Sequence, residues 1–370
     1  MKILYVATVV KTHIMHFHLP MLQLFKDEGW ETAVVARNDY DNPEDCRIPF
    51  CDEFFDLPFE RNPFKVANIK VYRKLKRIID EGQFDVISCH TPVGGFLARL
   101  ASRKARKSGT KVIYTAHGFH FYKGASLLNW LIYYPVEKFC SGLTDVMITI
   151  NEEDYNLARK KMNPGRVEYV PGVGIDIKRF SHTEVNREHK RREIGVPEDA
   201  FLLLSVGELI KNKNHKTVIR AVAELGCSDI HYVVAGSGKL LDELKSIAEE
   251  LGIANQVHLM GYRRDANELY KSADVYVLPS FREGLNVSVM EAMAAGLPCI
   301  VSNIRGNVDL IDKTGGVLVN PSDVQDVCRA IGEMRKQYDL RKLGEYNSKK
   351  AEKFEVDGIN QKLREIYTPV

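Results

Sequence analysis

The sequence predicts an α/β protein with two doubly wound domains, each a parallel sheet wrapped by helices. Three observations carry this. Short β-branched apolar runs of four to seven residues show little polar alternation, as strands buried on both faces do. Longer amphipathic stretches separate them, the order expected of βαβ units. A charged segment almost without apolar pattern, 181–200, divides the runs into two sets.

Taken in order, the first set is KILYVA, TAVVA, FDVISC, KVIYT, DVMITI and RVEYV, and the second is FLLLSV, IHYVVA, QVHLM, DVYVLP and PCIVS. The opening MKILYVATVV has too short an apolar stretch for a signal peptide or a membrane span and reads as a buried first strand. The segment VPGVGIDIKRF, 170–180, marks the boundary, with a hinge expected near Gly172 to Asp176. The expected domains are 1–175 and 176–355. A last helix over 356–370 would pack back on the first of them.

With 370 residues, 45% of them hydrophobic, each half is long enough to bury its own core. The seven cysteines are scattered and form no CxxC, which fits a reduced, cytoplasmic setting better than a disulfide framework. Charge is uneven: residues 1–180 hold 26 Lys and Arg against 21 Asp and Glu, whereas 181–370 hold 26 against 28. Between Val86 and Val136 there is no acidic residue, yet Arg99, Arg103, Lys104, Arg106 and Lys107 fall in that window. Two readings stand, a solvated helix face or a surface for anionic headgroups or a phosphorylated acceptor, with His16 a further candidate on that side. Nucleic acid is not expected, because no recognition motif accompanies the charge and the pI is only 8.3.

Several patterns carry no chemistry. AGSGKLL, 235–241, lacks the first glycine and the Ser/Thr of a phosphate-binding Walker loop and the third glycine of a dinucleotide fingerprint, so it reads as a tight strand-to-helix turn. Asp39 and Asp41 lie in an acidic turn, NDYDNPED. His13, His16 and His18 have ligand-like spacing but no carboxylate or thiol partner nearby in sequence, so no metal site is expected there.

SFREGLNVSVMEAMAAG, 280–296, is different: a turn, then a helix from about Asn286, with Glu283 before its start and Glu291 inside it. One reading makes Ser288 and Glu291 a capping box. The other uses the free N–H groups and positive end of a helix as a phosphate seat. Eight helical residues rise about 12 Å, enough for two carboxylates to reach both ends of a diphosphate-bridged ligand. Carboxylates only accept, so they suit sugar hydroxyls. A nucleotide-sugar fits, with hexose at Glu283, diphosphate over Gly284, Leu285, Asn286 and Val287, and ribose at Glu291. Lys213, in the loop of SVGELIKNKNHKTVIRA, is placed to reach the diphosphate, and His117 stands at a strand end in YTAHGFHFY.

The combination of EGLNVSVMEAMAAGLP, GELIKNKNH, VPGVGID and TAHGF resembles the retaining glycosyltransferases of family 4, which have the GT-B architecture of two Rossmann-like domains and a terminal helix crossing back. More narrowly it is similar to bacterial enzymes that extend lipid-linked glycans for capsule, exopolysaccharide or other surface polymers. The resemblance implies an acceptor-binding first domain, a donor-binding second domain and no metal or cofactor. It makes Glu283 the residue near the donor hexose O3 and O4, Glu291 the ribose ligand, and Lys213 the cation on the diphosphate. His117 matches the histidine near the sugar O6 and the reacting centre, and Gly261, Tyr262 and Arg263 match the loop that cups the base. Two departures follow. Glu208 stands after Gly207 where many members have Arg, so it must turn away, or Lys211 or Arg282 must substitute. The loop VVKTHIMHF lacks the paired glycines often found there.

The expected reaction moves a hexose or N-acetylhexosamine from a UDP-sugar to an undecaprenyl-diphosphate-linked saccharide, by an enzyme held at the inner face of the cell membrane. The alternatives are a sugar-phosphate synthase or nucleotide-sugar epimerase on the same fold, and a non-catalytic nucleotide-sugar-binding subunit of a glycan assembly complex.

Overall fold

A computed structural model describes residues 1–60, 62 and 65–368. Thirteen strands among these residues form two parallel sheets. The first, in the order β3-β2-β1-β4-β5-β6-β7, contains β1 (Lys2–Val9), β2 (Glu31–Arg37), β3 (Glu53–Asp56), β4 (Val86–His90), β5 (Lys111–Ala116), β6 (Val146–Thr149) and β7 (Arg166–Tyr169). The second, in the order β10-β9-β8-β11-β12-β13, contains β8 (Phe201–Val206), β9 (Ile230–Ala235), β10 (Val257–Leu259), β11 (Val275–Leu278), β12 (Cys299–Ser302) and β13 (Gly316–Val319).

The reason for the unbroken apolar runs is visible in β1. Leu4 and Val6 join one core layer, while Ile3, Tyr5 and Ala7 join the layer on the opposite face. Successive side chains of a strand point to opposite faces, so a strand covered on both sides must be apolar at every position. The eleven runs read from the sequence all form strands. No run announced β3 and β13, each of which lies at one edge of its sheet, with β7 and β10 at the opposite edges. An outer strand is half-covered, and EFFD places only Phe55 against the core; its sequence need not be apolar throughout.

The chain divides into two compact units, one formed by Met1–Val173 with Ile359 onward, the other by Gly174–Gly358. The division falls between two glycines at positive φ, Gly172 and Gly174. The last helix, Val356–Tyr367, returns the chain to the first unit, where Ile366 and Tyr367 are buried and the Tyr367 hydroxyl lies 2.5 Å from Ser88 Oγ.

In each sheet the chain builds outward on one side of the first strand, then crosses to the other side. The reversals lie between β1 and β4 and between β8 and β11. Such reversal points open a crevice beyond the carboxyl ends of the strands, the usual ligand position in open parallel sheets. The sites below stand at these two places.

Candidate functional site

In the second unit, the loops leaving β8 and β11 are tied together. Asn212 Nδ2 donates to the Arg282 carbonyl at 2.8 Å, and the Phe281 N–H donates to the Asn212 carbonyl at 2.9 Å. Asn214, in the left-handed region at φ 59°, donates to the Pro279 and Pro321 carbonyls at 3.0 and 2.7 Å. These bonds bring Lys213 to Glu283, with Nζ 2.8 Å from Oε1. The lysine stem lies along Gly207, its Cε 3.6 Å from where a Cβ would stand. Gly236 is required for a related reason: its Cβ would lie 1.9 Å from the Gly207 carbonyl oxygen. The AGSGKLL segment is thus a turn packed backbone on backbone against the loop that carries Lys213.

Glu283 and Gly284 are partly exposed, and the helix Val287–Ala294 starts immediately beyond them. The capping-box reading of Ser288 and Glu291 is corrected here. Asn286 caps the helix, its Oδ1 accepting from the Ser288 N–H at 3.1 Å and the Ser288 hydroxyl at 2.9 Å. Tyr276 holds the same hydroxyl at 2.7 Å. Glu291 is thereby left out of the cap. Its Oε2 accepts from the Tyr270 hydroxyl at 2.9 Å, and burial raises its pKa against the opposing effects of that bond and of Arg179. Leu285 and Asn286 are buried, whereas Val287 and Ser288 keep partial exposure, so the first turn is not sunk in the core.

Glu208 is exposed, and the backbone carbonyl of this residue, rather than its carboxylate, makes the local contacts, lying 3.2 Å from His215 Nε2. Lys211 and Arg282 are also exposed. Sequence reasoning missed Arg305, which follows β12: it is 7% exposed and its Nη2 donates to the Glu283 carbonyl at 3.4 Å. Gly306 next to it would put a Cβ 2.2 Å from the Gly284 carbonyl oxygen. No charge pattern marks this arginine; only strand order brings β12 beside β11. Beyond β10, Gly261 at φ 66° accepts from the Gly236 N–H at 2.8 Å, and Tyr262 is 75% exposed. Arg263 is committed elsewhere, paired with Asp265 and with Glu193 in a network that also takes in Lys190 and Glu268.

In the first unit, His117 follows β5 and lies in a group of four imidazoles with His13, His18 and His90. A π-helical turn, Val10–Ile14, leads from β1 and helps to set His13 and His18 side by side, Nε2 to Nε2 at 3.2 Å. His90 ends β4, and its Nδ1 lies 3.3 Å from His117 Nε2. Thr91, the next residue, has φ 62°, a conformation that a β-branched side chain adopts only under strain. Burial depresses the pKa of all four rings, that of His117 to about 4. Thus the histidines near the start of the chain do have partners, on β4 and after β5, far away in sequence. His16 is not among them; it is exposed, with Nδ1 3.1 Å from the Lys11 carbonyl. Asp39 and Asp41 are occupied by Lys11, one accepting from its N–H at 2.6 Å and the other 3.5 Å from its ammonium.

The basic window requires a correction. Arg99 is fully buried, forming a two-bond pair with Glu137 at 2.9 and 3.1 Å and lying 3.7 Å over the Tyr114 ring, so it belongs to no surface. The acid-free interval ends at Val136, one residue short of this partner. Arg103, Lys104 and Lys107 are exposed, whereas Arg106 is paired with Asp145 at 2.8 Å. What composition did not reveal is the helix Leu127–Ser141, which buries Glu137, Cys140 and Ser141 but exposes Leu127, Leu128, Leu131, Val136 and Phe139 by 40–74%. Among the described residues, no helix is long and apolar enough to cross a membrane.

Comparison with known proteins accords with this geometry. Residues 2–151 match the model of the glycosyl transferase 4-like family, and residues 186–351 match that of glycosyl transferases group 1. The putative glycosyltransferase EpsD of Bacillus subtilis is 42% identical over 373 residues, covering 99% of this chain and 96% of that one. The UDP-Gal:alpha-D-GlcNAc-diphosphoundecaprenol alpha-1,3-galactosyltransferase of Escherichia coli is 28% identical over 75% of this chain and 73% of its own. The crystal structure of Anabaena Alr3699/HepE in complex with UDP and glucose superposes with a TM-score of 0.81 over 99% of both chains at 17% identity, a likeness of fold. With two parallel sheets of that fold and such identity along nearly its whole length, the chain belongs to the group 1 glycosyltransferases, the retaining family 4 enzymes of GT-B architecture.

Proposed function

We propose that this enzyme transfers a hexose or N-acetylhexosamine from a UDP-sugar to a hydroxyl of a saccharide linked to undecaprenyl diphosphate, in the synthesis of a capsular, exopolysaccharide or other surface glycan. The observation that carries the reading is the Lys213–Glu283 pair held beside the Asn286-capped helix at the reversal point of the second sheet. A cation, a helix N-terminus and two carboxylates in that order match a diphosphate flanked by hydroxyl-bearing groups. The donor's diphosphate draws Lys213 from Glu283, and the released carboxylate accepts from hexose hydroxyls. Glu291 takes the ribose and Tyr262 stacks on the base, with Gly261 permitting its approach and Arg263 holding the loop through Asp265. Gly207 and Glu208 line the phosphate side, the latter with its carboxylate turned to solvent. Arg305 adds positive potential beneath Gly284.

The leaving diphosphate accepts the acceptor's proton on the face where the new bond forms. Protein groups therefore need only stabilise charge growing on that leaving group and align the acceptor. His117 is assigned to the sugar end of the donor, and no metal is assigned to the step. The first domain, to about residue 175, is assigned to the acceptor and residues 176–355 to the donor. The lipid-linked acceptor calls for a membrane surface, and the apolar face of the Leu127–Ser141 helix, with exposed Arg103, Lys104 and Lys107 in the same domain, supports docking at the inner face of the cell membrane.

The reading is tested by incubating the protein with UDP-, GDP- and ADP-sugars and following nucleotide release, with and without lipid-linked acceptor. Release from one UDP-sugar, accelerated by acceptor, is expected. Binding without any turnover in the presence of acceptor would instead assign the chain to a non-catalytic role.

A further inference from the structure

We propose that His13, His18, His90 and His117 form a binding site for one late first-row divalent transition-metal ion of the zinc class. Four of the chain's eleven histidines meet at one point, the reversal between β1 and β4, and offer ligand nitrogens all within 4.8 Å of one another. They come from three separate segments: the turn after β1, the end of β4 and the loop after β5. At Zn–N bonds of about 2.0–2.1 Å, the nitrogens of a tetrahedral site stand roughly 3.3 Å apart. The two pairs in this cluster, His13 with His18 at 3.2 Å and His90 with His117 at 3.3 Å, already have that spacing.

The shell around the ligands has the matching chemistry. His90 Nε2 lies 2.7 Å from Ser88 Oγ, which is itself 2.5 Å from the Tyr367 hydroxyl. With Nε2–H donating to Ser88, the lone pair of His90 sits on Nδ1, on the side of His117. A ligand imidazole fixed through its other nitrogen is the arrangement that orients metal-binding histidines. Ser88 and Tyr367 are both buried, so the orientation is enforced by the core and by the returning C-terminal helix. The ligand set is all nitrogen and uncharged, which selects zinc, copper, nickel or cobalt over magnesium, calcium or manganese. His18, His90 and His117 also line a small pocket with Tyr5, Phe17 and Tyr367. A bound ion would occupy the His117 lone pair, making metal and donor sugar competitors for this residue. The site itself does not rest on the transferase reading.

The test uses the full-length protein, stripped with a chelator and titrated with Zn²⁺ against a chromophoric competitor, and in parallel with Co²⁺ as a visible probe, without donor or acceptor. One ion per chain and the intense visible bands of four-coordinate cobalt are expected. His13→Gln and His90→Gln should each weaken binding at least tenfold, and Ser88→Ala about 10- to 100-fold. His16→Gln, exposed and outside the cluster, should leave it unchanged. If His90→Gln fails to fold, as circular dichroism would show, His13→Gln at the partly exposed rim decides. Absence of stoichiometric binding by the folded wild type, six-coordinate cobalt, or equal weakening by His16→Gln and His13→Gln would each overturn the proposal.

Discussion

Lys213 Nζ lies 2.8 Å from Glu283 Oε1, with the two side chains only 19% and 11% exposed. In the proposed reading each stands in for the other's ligand: the ammonium satisfies the carboxylate until a sugar hydroxyl does, and the carboxylate holds the ammonium near the place proposed for a phosphate. The pair thus keeps both groups at the proposed site before the donor binds, and the donor must separate them to take their place. Lys213→Ala is expected to lower turnover at saturating donor by about two orders of magnitude, the usual loss when one electrostatic contact to developing charge is removed. Glu283→Gln should retain binding of free UDP while weakening the intact UDP-sugar. Steady-state kinetics and calorimetry on the two variants check this, and unchanged turnover in Lys213→Ala would take the lysine out of the reaction.

The Arg99–Glu137 pair calls for a stability experiment. Removing one member leaves the other charged, buried and without its counter-ion, which costs about 3–5 kcal/mol. Arg99→Met and Glu137→Leu singly should therefore lower the urea midpoint sharply. The double variant should recover much of the loss, because apolar side chains of similar size fill the space without charge. A double variant as unstable as the sum of its parents would show that packing over Tyr114, rather than charge, is what the site supplies.

The sequence made the fold legible because a parallel sheet covered on both faces writes itself as uninterrupted apolar runs. It withheld β3, where EFFD sets only Phe55 against the core, and β13, whose apolar GVLV is only four residues long. The segment proposed to hold the donor could be picked out because Glu283, Asn286 and Glu291 are local, within a single turn and helix. Arg305 and His90 could not, since each is brought in by strand order. Arg99 misled because its counter-ion is 38 residues away, on the inner side of another helix. Glu291 fitted a capping box by spacing alone, whereas in three dimensions Asn286 makes the cap and Glu291 takes a tyrosine partner.

Gly236→Ala tests how the turn beyond β9 supports the loop that carries Lys213. A methyl group there would stand 1.9 Å from the Gly207 carbonyl oxygen, backbone that cannot swing aside as a side chain would. The loop carrying Lys213 must shift, so lower thermal stability is expected together with weaker UDP binding. Gly226→Ala serves as the comparison, because its Cβ would meet nothing within 4 Å and only its positive φ of 61° opposes the change. That variant should lose stability alone, leaving nucleotide affinity intact.

His215 gives a pH prediction whose sign is fixed. It is buried between Tyr232 and the Glu208 carbonyl, and burial lowers its pKa from 6.5 to about 4. Between those values the unfolded chain binds a proton that the folded chain does not, so stability falls as pH falls through this window and is level above it. Urea unfolding of wild type and His215→Gln from pH 7 to pH 4 should diverge, with wild type losing up to about 1.4 kcal/mol more per pH unit. Parallel curves would mean that His215 is protonated in the fold.

The exposed face of the Leu127–Ser141 helix sets the last expectation. Leu128, Leu131, Pro135 and Phe139 are spaced three, four and four residues apart, which aligns them along one side of a helix. The opposite side carries Glu137 and Cys140 into the core. A helix whose inner side is packed gains nothing for its own domain by exposing leucines, and such a face fits the acyl boundary of a bilayer. Replacing Leu128, Leu131 and Phe139 together by serine should leave the melting temperature nearly unchanged, since these side chains are 58–67% exposed, and should abolish retention on liposomes containing anionic lipid. Arg103→Gln with Lys104→Gln and Lys107→Gln should weaken retention in a salt-dependent way, about 1 kcal/mol for each cation that meets the surface. If the serine variant sediments with vesicles as well as the wild type does, this face is not the membrane contact.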